Sequence, residues 1–174
     1  IITGRSADKL QVLKAELEAG GVEVLALAFD VCNREATRDA VASIPDAFKP
    51  IDVLINNAGL ARGLEPEYEG DFQDWDEMID TNIKGLLNMT RFVVPGMVSL
   101  NHGHVINIGS VAGDAAYAGG GVYCATKAAV KALTDGLRID VAHTSVRVTN
   151  LKPGLVETNF SNVRFHGDNE RADN

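Results

Sequence analysis

The sequence predicts an α/β domain built on a doubly wound parallel sheet, and three observations carry that prediction. The apolar pattern alternates along nearly the whole chain between short β-branched runs and stretches with a period near 3.6. No internal repeat, low-complexity tract or linker interrupts the series, so residues 1–174 read as a single domain. The composition is that of an ordinary globular domain, with 174 residues of which 45% are hydrophobic, 23% charged and 6% aromatic.

Ile1-Ile2-Thr3-Gly4 opens the chain as if in mid-strand, without an initiator Met or a leader-like stretch, and suggests an internal portion of a longer polypeptide. Leu10, Leu13 and Leu17 then share one helical face. A strand is predicted over Val22–Leu27, then a helix with Ala36, Ala40 and Ile44 on one face, and then, counting the opening residues as the first, a third strand over Ile51–Ile55. The longest helix carries Met78, Ile79, Ile83, Leu86 and Leu87, and Asp74-Trp75-Asp76-Glu77 has the spacing of a capping box at its start. His104–Ile108 is a further strand, followed by a helix with Val130, Leu133, Leu137 and Val141 on its apolar face. Val146–Leu151 is the last strand, and the polar stretch Gly167–Asn174 reads as a mobile loop or an unfinished segment.

Charge and cysteine usage narrow the function. Sixteen Lys and Arg against twenty-four Asp and Glu give a formal net charge of -8, so a basic footprint for nucleic acid is missing. Cys32 and Cys124 form no CxxC, and His102, His104, His143 and His166 have no ligand spacing, so no metal is expected and a reducing cytoplasm is the expected compartment. The longest apolar candidate for a bilayer span, Leu86–Val98, is interrupted by Arg91 and Pro95, so no membrane association is expected.

Sheets of this kind bind ligands beyond the carboxyl ends of their strands, so functional residues belong just after each strand. Thr3-Gly4-Arg5-Ser6 follows the first. In a Rossmann-like sheet this position faces an adenosine ribose, where an acid suits a 2′-hydroxyl and Arg5 would attract a 2′-phosphate, which points to NADP. Asp30-Val31 can meet an adenine edge or simply open a helix. Asn56-Asn57-Ala58-Gly59 ends the third strand, and its small residues let the backbone approach a ligand. Gly109-Ser110 places a hydroxyl at the carboxyl edge, and Tyr123 and Lys127 stand at i and i+4 on one face of a helix. Cys124 points about 100° away from that face and reads as a packing residue. Pro153-Gly154 after the last strand is a turn in its own right.

Taken together, Asn56-Asn57-Ala58-Gly59, Asn82 with Gly85, Ser110, Tyr123-x-x-x-Lys127 and Pro153-Gly154-Leu155-Val156-Glu157-Thr158 resemble the short-chain dehydrogenase/reductase family, from Ile1 to about Phe165. Leu60–Pro66, Asn101–His104 and Phe160–Gly167 look like the NADP-dependent 3-hydroxy acid dehydrogenases that also oxidise serine or allo-threonine. The resemblance implies a Rossmann-like oxidoreductase domain that lacks its first βα unit, with the glycine-rich phosphate turn, and its C-terminal elements. It implies hydride transfer between NADP and a short 3-hydroxy acid, hydroxy amino acid or matching carbonyl. A protein of the same fold that senses dinucleotide without turnover stays open as the alternative.

By the same resemblance, Tyr123 is the general acid and base, Ser110 holds the substrate oxygen and Asn82 fixes a water that relays protons from Lys127. Lys127 also holds the nicotinamide ribose. Arg5, Ser6, Asp30, Val31, Asn57, Ala58, Gly59, Pro153, Gly154, Val156 and Thr158 complete the cofactor contacts, and Arg164 is nominated for a substrate carboxylate because a guanidinium can grip it bidentately. Bringing a phenol from a pKa of about 10 toward 7 takes roughly 4 kcal/mol. One ammonium about 4 Å away supplies that much at an effective dielectric near 20. A homotetramer built through the long helices is the implied assembly.

Overall fold

The computed structural model describes residues 1–154 and 164–165. Five parallel strands alternate with helices: β1 (Ile2–Gly4), α1 (Ala7–Ala19), β2 (Ala26–Ala28), α2 (Arg34–Ala42), β3 (Val53–Asn56), α3 (Phe72–Ile79), α4 (Leu86–Ser99), β4 (His104–Ile108), α5 (Gly121–Asp140) and β5 (Arg147–Leu151). A wide π-helical turn, Asp80–Gly85, joins α3 to α4 without a break.

The strands form two sheets, β1-β2 and β3-β4-β5. Ile2 pairs with Ala26 in the first; Val53 pairs with His104 and His104 with Arg147 in the second. The inner edges of β1 and β3 do not pair; Ile1, Thr3, Val53 and Ile55 instead line a gap of about 400 Å³. The gap leaves Val53 and Ile55 half exposed.

Each element follows from local chemistry, with three departures from the sequence expectation. β2 begins four residues later than Val22, because β1, itself three residues long, is its one partner and pairs only with Ala26–Ala28. α3 starts at Phe72 rather than after a cap at Asp74: Asp71 Oδ1 accepts from the Gln73 and Asp74 amides at 2.7 and 3.2 Å. Asp74 then sits in the first turn, where a carboxylate favours the positive helix end. In α1, Leu10 is buried while Leu13 and Leu17 are exposed, since that helix has only the two-stranded sheet to cover.

The main core packs Leu54, Val105 and Val148 of the larger sheet with Val93, Val94 and Met97 of α4 and with Val141 and Val146. A smaller cluster of Leu60, Ala61, Met78 and Tyr123 lies at the carboxyl end of the sheet. No helix among the described residues is long and apolar enough to cross a membrane.

Candidate active site

The carboxyl ends of β3, β4 and β5 carry asparagines in cross-strand register, Asn56 beside Asn107 and Asn107 beside Asn150. Buried amides need partners, and these tie elements together. Asn56 Nδ2 donates to Asn107 Oδ1 at 2.9 Å, and Asn107 Nδ2 donates to Thr134 Oγ1 of α5 at 2.9 Å. Asn107 and Thr134 are missing from the sequence expectation; the available signal was a polar residue at an inward strand position, readable only once the register is known.

Immediately after β3, Asn57, Ala58 and Gly59 line a groove of about 500 Å³ with Arg5, Asp30 and Val31. Gly59 approaches the site closely: a Cβ there would stand 3.2 Å from Asn82 Oδ1 and 3.3 Å from Lys127 Nζ. Arg5 is exposed at the groove, and no carboxylate among the described residues pairs with it. Ser6 caps α1 through the Lys9 amide. Asp30 Oδ1 accepts from the Cys32 amide at 2.9 Å, and the Val31 carbonyl accepts from Asn88 Nδ2 at 2.8 Å. Val31 also explains Gly85, whose Cβ would lie 2.7 Å from Val31 Cγ2.

The π-helical turn presents Asn82, which is buried. Its Oδ1 accepts from the Leu60 amide at 2.8 Å, while Nδ2 donates to the Leu60 carbonyl and Thr126 Oγ1, both at 2.9 Å. The side chain therefore clamps the loop after β3 to α5.

Ser110 follows β4 in extended backbone, and its Oγ accepts from the Ala112 amide at 3.1 Å. The short turn Val111–Gly113 that it opens lies so close to α5 that a Cβ on Gly113 would be 2.7 Å from the Lys127 carbonyl oxygen. Val111 in turn donates its amide to Pro153 at 3.2 Å, which brings the start of the segment after β5 beside Ser110. Gly154 is exposed; Val156 and Thr158 lie outside the described residues.

α5 brings Tyr123 and Lys127 to one buried face. Burial pushes the Tyr123 phenol above its ordinary value, opposed by a hydrogen bond with Ser110 and by the charge of Arg164. Lys127 Nζ donates to the Ile108 carbonyl at 2.9 Å, and burial lowers its pKa to about 8. Nζ stands 5.9 Å from the Tyr123 ring centroid while it donates to the β4 carbonyl of Ile108. Cys124 is buried as a packing residue.

Arg164 is 9% exposed. Its Nε donates to the Gly63 carbonyl at 2.7 Å and its Nη1 to the Tyr117 hydroxyl at 2.9 Å, while Nη2 is buried with no hydrogen-bond partner. The guanidinium carbon lies 6.0 Å from the Tyr123 ring centroid.

A Ser–Tyr pair and a buried lysine on one face, at the carboxyl ends of parallel strands and beside an open groove, define an oxidoreductase-like site. The family model described as short chain dehydrogenase matches residues 1–169, and the chain belongs to that family. It is 56% identical over 173 residues to the NADP-dependent 3-hydroxy acid dehydrogenase YdfG of Salmonella typhimurium, covering 99% of this chain and 68% of that protein. It is 46% identical over 172 residues to the serine 3-dehydrogenase of Rhizobium radiobacter, again covering 99% of this chain and 68% of the relative. Among solved structures, the closed form of serine dehydrogenase complexed with NADP+ superposes with a TM-score of 0.94 at 53% identity, over 98% of this chain and 68% of that one.

Proposed function

We propose that this protein is an NADP-dependent dehydrogenase that oxidises the hydroxyl carbon of a short 3-hydroxy acid or of a hydroxy amino acid of the serine or allo-threonine type, or reduces the matching carbonyl. The observation that carries the reading is the buried pairing of Tyr123 with Ser110, with Lys127 one helical turn along. The similarity to 3-hydroxy acid and serine dehydrogenases supports the substrate class.

The groove suits a dinucleotide. Gly59 leaves backbone open beside Lys127 and Asn82, and Arg5 offers an uncommitted guanidinium for a 2′-phosphate. Asp30, Val31, Asn57 and Ala58 line the same groove, with Ser6 at its rim and Pro153 and Gly154 beside Ser110. When bound, NADP supplies the hydride acceptor or donor, and the chain supplies the proton chemistry.

Tyr123 gives its proton to the carbonyl oxygen in reduction and takes the hydroxyl proton in oxidation. Because burial raises its pKa, the phenol is a proton donor at neutral pH, and oxidation accelerates as pH rises. Ser110 holds the reacting oxygen next to Tyr123. Lys127 passes protons onward, a task suited to an amine with a pKa of about 8. Asn82 retains one Oδ1 lone pair beyond its bond to Leu60, which suffices to hold a relay water. Arg164 directs its unpartnered Nη2 to the substrate carboxylate. A protein that only senses dinucleotide has no use for a buried Tyr–Ser pair with a lysine on the same face.

The chain assembles as a homotetramer, for which exposed Leu87 of α4 and Ile139 of α5 offer apolar contact surface, and it works in a reducing cytoplasm that suits the free thiols Cys32 and Cys124. The function is tested by following NADPH formation with L-serine, L-allo-threonine and 3-hydroxypropanoate. Turnover with none of them overturns the reading. Arg5→Ala is expected to weaken NADPH by about 10- to 100-fold and NADH by much less, measured by fluorescence titration, since charge-assisted bonds to the 2′-phosphate are lost. Equal losses for the two dinucleotides remove the 2′-phosphate role.

A further inference from the structure

Arg164 is a buried cation that no Asp or Glu among the described residues neutralises. An unpaired buried charge is costly, so the groups that fix its position matter as much as the charge itself. Two of the guanidinium's nitrogens are held: Nε by the Gly63 carbonyl and Nη1 by the Tyr117 hydroxyl. The Tyr117 ring also lies against the guanidinium, with 5.5 Å between its centroid and the Arg164 carbon.

Tyr117 is itself positioned by the turn that leads into α5. The Gly120 amide donates to the Tyr117 carbonyl at 3.0 Å, and Gly119 adopts a φ of +69°, a conformation that favours glycine. A Cβ on Gly119 would strike the Leu64 carbonyl at 2.0 Å, and one on Gly120 would strike the Tyr117 ring at 2.2 Å. The turn is thus packed directly on the loop that carries Gly63, the other anchor of Arg164. The two anchors and the start of the Tyr123 helix form one connected unit.

We propose that Tyr117 is a specificity-determining positioning residue, whose hydroxyl and ring hold Arg164 so that its Nη2 donors are left to receive the carboxylate of a substrate whose hydroxyl lies at Tyr123. This rests on the carboxylate role assigned to Arg164. Loss of the hydroxyl frees the guanidinium to rotate, and the binding of acids suffers more than the proton chemistry at Tyr123, which keeps its hydrogen bond with Ser110. Loss of the ring as well removes the face against which the cation rests.

The test compares a 3-hydroxy acid with its neutral primary amide in the intact enzyme with NADP, for Tyr117→Phe, Tyr117→Leu and Arg164→Gln. Tyr117→Phe is expected to raise the KM ratio of acid to amide about tenfold with kcat for the acid little changed, the size expected for one hydrogen bond to a charged group. Tyr117→Leu raises the ratio further, and Arg164→Gln raises it at least as far as either. If Arg164→Gln raises the ratio and Tyr117→Phe leaves it within about twofold, or raises both KM values equally, the Tyr117 role is overturned and the Arg164 role stands. If Arg164→Gln leaves the ratio unchanged, the carboxylate role fails and takes this proposal with it. Tyr117→Phe keeps the ring, so the comparison does not depend on the Leu variant folding.

Discussion

Tyr123→Phe is expected to lower kcat for hydroxy-acid oxidation by about a thousandfold while leaving NADP affinity and thermal stability close to those of the parent. The loss is of the size that a positioned general acid or base contributes. The ring stays, and with it the contacts to Leu60, Ala61 and Met78 that anchor this end of α5. The hydroxyl disappears, and with it the bond with Ser110. Ser110 Oγ still caps the following turn through the Ala112 amide, so the serine is not left without a partner. Single-turnover kinetics at saturating substrate read the chemical step directly. Retention of more than about a tenth of the parental rate at that step removes Tyr123 from the proton transfer.

Lys127→Met is expected to do two opposite things, abolishing turnover and making the ligand-free protein more stable at neutral pH. Burial holds the ammonium's pKa at about 8 against an ordinary 10.5, which corresponds to about 3 kcal/mol of destabilisation when the group is charged. Methionine fills similar space without that charge, at the cost of roughly 1 kcal/mol for the lost bond to the Ile108 carbonyl, so a net gain of about 2 kcal/mol is expected at pH 7. The sign with pH follows from proton binding. Between about 8 and 10.5 the unfolded chain holds a proton that the folded one has released, so this residue's penalty fades as pH rises through that window. Below about pH 8 the penalty is present in full. Urea titrations of both proteins at pH 7 and pH 10 measure it: the stability difference narrows or reverses at the higher pH. A Met variant less stable than the parent at pH 7 contradicts the account.

The physical reason for tolerating such a cost is that function fixes the lysine at the site. In the proposed function the nicotinamide ribose would lie at this lysine, and its oxygens would give the ammonium partners besides the Ile108 carbonyl. The destabilised state is the empty one.

How much of this was legible in the sequence depends on the range of each interaction. Tyr123 and Lys127 were found because their spacing within one helix settles their relative direction without any knowledge of the fold. Strand His104–Ile108 emerged with the boundaries its β-branched pattern indicates. The helix cap lies at Asp71, three residues ahead of the expected Asp74, because both positions offer an acidic cap and only the formed helix selects between them. The Asn56–Asn107–Thr134 chain was not legible: it joins three elements, and nothing local distinguishes an asparagine facing another asparagine from one facing water. The same holds for the contact between Tyr117 and Arg164, which are 47 positions apart and hydrogen-bond directly. The clamp by Asn82 on Leu60 and Thr126 belongs with them; the sequence marks the residue, and the contacts alone say what its amide does.

The π-helical turn at Asp80–Gly85 has a consequence for the long helical rod that contains it. Each residue of an α-helix advances by about 100°, and a π-turn inserts one surplus residue. In an uninterrupted α-helix Met78 and Met97 would stand about 100° apart around the axis. The surplus residue returns them to one line, so a stripe running from Met78 through Leu86 and Val93 to Met97 stays inward along the whole rod. The bulge acts as a phase correction: it lets a single rod serve the tyrosine cluster at one end and the hydrophobic core at the other without a break in the helical run.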